Sequence, residues 1–375
     1  IRVVVDGITP VENPLTMTIT GGAMDVGEPN NTWEQATPLS LNTPRTFTIP
    51  ATSDVDWFQF EVDEPNMTVE FSFNIPSNGR VFYYLYAGAD LQRYGADTEH
   101  RLDYRSAIGS GESQYYYMLP DAGTYYLCVD DSGSRTFEDN ATITYSLVPP
   151  DQNERNNTWK TATALNLGTA TSFTLPANND ADYFKFEATE PNQTVELTFT
   201  IPSGGAVYCY LYAGADYEID GDDADSIAYW SGISGGTRSY RCMLGDAGTY
   251  YVRVEDSSNR IFSDDATITY ELIQPDANEG NNTRNTATVL REEVATSYTL
   301  PADNDIDWFQ FTTTEDYQTV ELTFNVPDGG RIYYYLYSQT AFDIQGDSAS
   351  SIGYHTNISG DGTIYRHMLE EAGTY

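Results

Sequence analysis

Five oxygen-bearing side chains recur three times along this sequence and are its best candidates for chemistry. Glu28, Asn30 and Asn31 are followed by Asp54 and Asp56; then come Glu154, Asn156, Asn157, Asp180 and Asp182; then Glu279, Asn281, Asn282, Asp305 and Asp307. Carboxylates and amide carbonyls are the ligands of a hard cation, and Ca²⁺ takes six to eight such oxygens. In each set the Glu and Asn residues precede a strand-like segment. The two Asp lie just before and at the start of a second one, so a linker that folds back over that strand would unite them. Asp25, Asp151 and Asp276 are further candidate ligands. The same residue types also serve turns and caps without any metal.

The three sets belong to a repeat, since Glu28, Glu154 and Glu279 are 126 and 125 residues apart in a chain of 375. Three blocks define it: Glu28–Trp33, Asp54–Phe60 and Ala122-Gly123-Thr124-Tyr125, each with two later counterparts. A period this long means tandem domains rather than a solenoid of small units. Within the first repeat, residues 45–50, 56–62, 67–75, 81–87, 115–119, 124–130 and 141–148 are rich in Val, Ile, Thr, Tyr and Phe and often alternate. They predict an all-β fold of antiparallel β-sandwich, jelly-roll-like domains of about 125 residues. Stretches 88–113 and 214–239 carry Asp, Gly and Ser and read as long loops.

Residues 28–150 and 151–275 read as complete repeats. Residues 276–375 lack the last two strands, and residues 1–27 read as two such strands without a body, Ile1 matching Tyr126 and Tyr251. Three arrangements follow: a window on a longer tandem array, strand donation to the last domain of another copy, or closure into a ring. The first two are head-to-tail and propagate unless they close.

The blocks Glu28-Pro29-Asn30-Asn31-Thr32, Asp54-Val55-Asp56-Trp57-Phe58-Gln59-Phe60 and Ala122-Gly123-Thr124-Tyr125-Tyr126 resemble the bacterial pre-peptidase C-terminal domain. The resemblance is strongest to the Ca²⁺-binding members attached to secreted proteases and collagenases. It spans all three repeats. It implies a jelly-roll β-sandwich in which the fifteen residues named above hold Ca²⁺. Many members carry Asp where this chain has Asn31, Asn157 and Asn282, which implies a site of lower charge here.

Composition narrows the function. With 18 Lys+Arg against 56 Asp+Glu the net charge is -38, which disfavours nucleic acid and anionic membrane as partners. No apolar run reaches 18 residues, so no membrane insertion is expected. The middle repeat has no His, so no His-dependent site recurs, and no nucleophile elbow, zincin helix or Walker loop is present. The chain therefore reads as non-enzymatic. Only Lys160 and Lys185 are lysines, too few for a Lys–Asn crosslink in every repeat.

Cys209 and Cys242 stand where the first repeat has Tyr83 and Tyr117 and the third has Tyr334 and His367. Their joint change predicts a disulfide in an oxidising medium, with two free thiols as the alternative. Cys128 has no evident partner. In runs such as Phe82-Tyr83-Tyr84 and Tyr333-Tyr334-Tyr335, alternate rings should face core and solvent; an outward platform for collagen, glycan or a neighbouring fibre is the sharper reading. Asn66, Asn140, Asn192 and Asn357 open glycosylation sequons. Together these features predict an extracellular or cell-surface filament or stalk whose partners are further copies of itself. The alternative is an accessory array that holds a secreted hydrolase on a polymer.

Overall fold

The computed structural model describes Thr18, residues 26–52 and residues 54–375. The pair of strands expected within residues 1–27 therefore falls almost wholly outside the described residues. Two compact units are present: residues up to Arg155 with Leu175–Asp180, and Asn156–Thr174 with Ala181–Tyr375.

In the first repeat a turn of 3-10 helix (Trp33–Gln35) leads into nine strands and one short helix. They are β1 (Thr37–Pro38), β2 (Arg45–Ile49), β3 (Val55–Val62), β4 (Met67–Ile75), β5 (Val81–Ala87), α1 (Gly88–Tyr94), β6 (Arg101–Ile108), β7 (Gly111–Leu119), β8 (Gly123–Asp131) and β9 (Phe137–Val148). They form two sheets, ordered β1-β3-β8-β5-β6 and β2-β9-β4-β7. Alternation decides which face is buried. Val69, Phe71 and Phe73 of β4 and Tyr83 and Leu85 of β5 point into one core with Phe58, Phe60, Leu127 and Ile143. The rings meet mostly edge-on or tilted, as Phe60 does with Phe71 and with Tyr145, geometries that aromatic quadrupoles favour.

The second repeat runs through β10 (Thr163–Ala164), β11 (Thr171–Leu175), β12 (Ala181–Ala188), β13 (Thr194–Ala213), α2 (Gly214–Asp220), β14 (Ala228–Met243), β15 (Gly248–Asp256) and β16 (Phe262–Ile273). Here the counterparts of β4 and β5 fuse into β13, which pairs with β14, β15 and β16. Register shifts between Ile201 and Ala206 and between Val207 and Cys209 mark where the long strand bends. The third repeat holds β17 (Thr288–Val289), β18 (Phe309–Gln310), β19 (Thr312–Thr313), β20 (Gln318–Val326), β21 (Ile332–Leu336), α3 (Gln339–Gln345), β22 (Gly353–Ile358), β23 (Gly360–Leu369) and β24 (Gly373–Thr374). Among the described residues β20 pairs only with β23 and β21 only with β22, and Leu322, Phe324 and Tyr334 are half-buried.

The stretches read as long loops are corrected. Residues 88–113 contain α1 and β6, and residues 214–239 contain α2 and most of β14. Two turns are too short to show a helical period. Arg101, Asp103 and Arg105 give β6 a loop-like composition, although it pairs with β5 from Arg101 to Ile108 across two register shifts. Gly88 and Gly214 open these helices because a side chain there would meet the carbonyl of Thr124 or Thr249, 2.8 and 2.6 Å from a Cβ.

The Ala-Gly-Thr-Tyr block is a structural device. The Tyr125, Tyr250 and Tyr375 hydroxyls donate to the carbonyls of Asp121, Asp246 and Glu371 at 2.7, 2.8 and 2.6 Å. Each is a tyrosine corner that ties the start of a strand to the turn before it.

Candidate metal centre

The linker that opens each repeat is pinned to the residue that follows the second Asp, within β3 and β12 and just before β18. The backbone N–H of Trp57, Tyr183 and Trp308 donates to the carbonyl of Asn30, Asn156 and Asn281 at 2.9, 2.8 and 2.9 Å. A second pin follows, from Leu39, Leu165 and Leu290 to the carbonyls of Gln59, Lys185 and Gln310, each at 2.8 Å. Backbone bonds of this kind are independent of side-chain type, so the linker keeps its path where the surrounding residues change.

In the first cluster hydrogen bonds join Glu28, Asn30, Asn31 and Asp56. The Asn30 N–H donates to Glu28 Oε2 at 3.0 Å, and Asn30 Nδ2 donates to Asp56 Oδ1. Asn31 Nδ2 donates to Glu28 Oε1, and Asn31 Oδ1 accepts the Val55 N–H at 3.2 Å. Asn30, Asp54 and Asp56 are buried, whereas Asn31 is exposed. Asn30 Oδ1 is buried with no hydrogen-bond donor. Asp25 lies outside the described residues.

The third cluster lies within the second compact unit. Asp276 accepts the N–H of Asn278 at 2.6 Å and of Thr299 at 2.5 Å, while its own N–H donates to Glu279 Oε2 at 3.3 Å. Asn281 Nδ2 donates to the Trp308 carbonyl at 3.1 Å. Seven buried oxygens meet no donor in good geometry: Glu279 Oε1, Asn281 Oδ1, Asn282 Oδ1 and both oxygens of Asp305 and Asp307. Burial, then Glu279, Asp307 and Asp276, push the Asp305 carboxyl up to about 7. Burial with Asp276 and Glu279 raises Asp307 to about 6, and burial likewise raises Glu279.

In the second set Glu154, Asn156, Asp180 and Asp182 are all buried, and Asn157 is half-buried. Glu154 Oε2 accepts the Asp151 N–H at 3.1 Å, while burial lifts its carboxyl to about 7.

Buried oxygens without donors are costly unless something positive faces them. The donor chemistry, carboxylate and amide oxygen only, fits a hard cation such as Ca²⁺. Among the described residues no three His, Cys, Asp or Glu side chains are grouped to hold a metal by themselves. Amide and backbone oxygens would therefore have to complete the shell. Asn282 is partly diverted, since its Nδ2 donates to Asn192 Oδ1 at 3.1 Å and lies 3.8 Å from Met243 Sδ.

The expected Cys209–Cys242 bridge is not formed, and all three cysteines are buried free thiols. Cys209 lies in the half of β13 that pairs with β15, and Cys242 lies opposite Val195 in the other half. In the third repeat the equivalent Tyr334 hydroxyl and His367 Nε2 meet at 2.7 Å. The tyrosine runs alternate. Tyr83 is buried, and Phe82 and Tyr84 face outward to stack with Tyr104 at 6.0 and 5.2 Å between centroids. The same row recurs as Tyr210 with Tyr229 and as Tyr335 with Tyr354, at 4.8 and 4.7 Å. These rings pair across neighbouring strands, and Tyr229 and Tyr354 stay about half exposed.

No protein-family model matches this sequence, and no curated protein matches it. Solved structures with a similar course include the M60 catalytic domain with two CBM51 domains from Clostridium perfringens ZmpB, at 9% identity and a TM-score of 0.19 over 62% of this chain. This chain spans only 37% of that one. The tandem CBM51 modules of a family 98 glycoside hydrolase from Streptococcus pneumoniae match at 10% identity and 0.19, covering 61% of this chain and 83% of theirs. The CBM22 tandem domain of Paenibacillus barcinonensis Xyn10C matches at 6% and 0.20, covering 60% and 85%. Scores this low fix neither a shared ligand nor a shared function. The all-β sandwich is established by the sheets themselves.

Proposed function

We propose that this chain is a non-enzymatic array of calcium-stabilised β-sandwich repeats that works outside the cell as a spacer. The observation that carries this reading is the cluster at the head of every repeat. The same backbone pin, from the residue after the second Asp to the first Asn carbonyl, recurs in all three repeats, and each repeat carries the same set of carboxylates and amides beside it, while no set of catalytic groups recurs in the sequence. Glu28, Asn30, Asp54 and Asp56, and their counterparts, would supply carboxylate and amide oxygens to Ca²⁺, which would offset their mutual repulsion and tie linker to strand.

Such a spacer has two uses. As an accessory array it would hold a secreted hydrolase on a polymer such as collagen or glycan. This use needs only serial sandwiches, and the outward tyrosines, with Tyr229 and Tyr354 about half exposed, are surfaces it could employ. As a filament or stalk it would also need head-to-tail junctions with further copies, by continuation or by strand donation from residues 1–27.

Melting of the intact chain during a chelator titration tests the calcium claim. A lower melting temperature on chelation is expected, and an unchanged one would remove calcium from the reading. Negative-stain images of the native material separate the uses: uniform filaments mean a stalk, and beads attached to a larger body mean an accessory array.

A further inference from the structure

One edge of the sandwich is occupied in the same way in both compact units. β7 is the outer strand of its sheet, and Met118 lies opposite Thr68 of β4. The outward peptide groups of Met118 are bonded by one side chain: its N–H donates to Asn179 Oδ1 at 2.8 Å, and Asn179 Nδ2 donates to its carbonyl at 3.0 Å. Within the second unit Met243, opposite Thr194, makes the same pair with Asn304, again at 2.8 and 3.0 Å. A side-chain amide carries the donor and acceptor of a peptide group, so each contact copies one rung of a strand ladder. It also caps an edge that otherwise recruits other strands. Both asparagines stand directly before the first Asp of an Asp-x-Asp pair, Asp180 and Asp305.

Met368 holds the same register in the third repeat, opposite Thr319 of β20. Among the described residues no asparagine side chain stands on it, and its exposure is 63% against 6% for Met118. We propose that this edge peptide is the docking socket of the repeat and that the asparagine before the Asp-x-Asp pair is its plug. Met368 then holds the register of a third socket, whose partner, in the same chain or in another molecule, is a β-sandwich repeat bearing that asparagine. The first repeat of this chain has Ser53 at that place in the sequence. A hydroxyl cannot present the paired donor and acceptor of an amide, so a second wild-type copy does not fit through its first repeat.

Hydrogen exchange on the intact chain tests the plug. The Met118 and Met243 amides should be protected, and that of Met368 should exchange roughly tenfold faster or more. Asn304→Ala should bring Met243 to the rate of Met368 and leave Met118 unchanged, with circular dichroism showing that the fold persists. An unmoved Met243 rate overturns the proposal. The socket is tested by sedimentation of the full chain. Ser53→Asn should associate beyond wild type, and adding Met368→Pro, which removes the outward N–H at an edge position where proline is tolerated, should abolish that association. If Ser53→Asn gains no association, or its association survives Met368→Pro, the socket is not at Met368.

Discussion

Asp305 and Asp307 show what a single residue contributes to this design. Each is buried among other carboxylates, whose charges add to burial in raising its pKa. Without a cation the folded state holds protons more tightly than the unfolded one. An acid whose folded pKa is raised stabilises the fold at low pH and loses that contribution as pH climbs from its ordinary value near 4 to the folded value, about 7 for Asp305. Chelator-treated protein should therefore melt higher at pH 5 than at pH 8, and Ca²⁺ should raise the pH 8 value most. The high net charge gives the same sign by general repulsion. The double change Asp305→Asn with Asp307→Asn separates the two causes, because it should flatten the pH dependence and remove part of the Ca²⁺ response. An unaltered pH slope in that variant would show that the cluster does not govern it. A mixture of neutral amides with carboxylates also limits the repulsion that the fold must bear, as the Asn30 and Asn31 amides bonded to Asp56 and Glu28 show.

At the scale of elements, the tyrosine corner is the clearest case of a motif explained by the fold. Tyr250→Phe should cost about 1 kcal/mol, the usual net worth of one hydrogen bond, and should leave Ca²⁺ binding unchanged; denaturant melts of the intact chain measure it. Strands that alternate were legible in the sequence: β4 and β5 lie where the pattern of Phe71, Phe73, Tyr83 and Leu85 places them. β6 was not, because Arg101, Asp103 and Arg105 are polar, and pairing with β5 rather than composition makes it a strand. The Tyr83 hydroxyl bonded to Asp103 at 2.5 Å is its internal reason for that polarity. The candidate ligands could be named from residue type and recurrence, but the backbone pins that assemble them are invisible to side-chain reading. Asn179 and Asn304 were missed for a different reason: Ser53 breaks their recurrence, so they look like ordinary turn asparagines. Cys209 and Cys242 are free thiols, although Tyr334 and His367 at the same places in the third repeat bond to each other.

For the whole molecule the decisive quantity is how many cations the chain takes up, and with what selectivity. A net charge of -38 gathers any cation loosely, and that atmosphere is screened within about 8 Å at physiological ionic strength. Three clusters, one per repeat, would instead bind a fixed number. Equilibrium dialysis in physiological sodium chloride should find about three Ca²⁺ per chain, since each cluster offers oxygens for one ion of six to eight ligands. Mg²⁺ should compete poorly, because it demands a smaller octahedral shell and gives up water reluctantly. Removing both Asp305 and Asp307 should lower the number by one and leave the other two sites intact, as expected of clusters each held by its own linker pin. Uptake that rises without a plateau, or that falls in proportion as salt is added, would mean that the chain attracts calcium only as a polyanion. The buried oxygens would then have to be neutralised by protons alone.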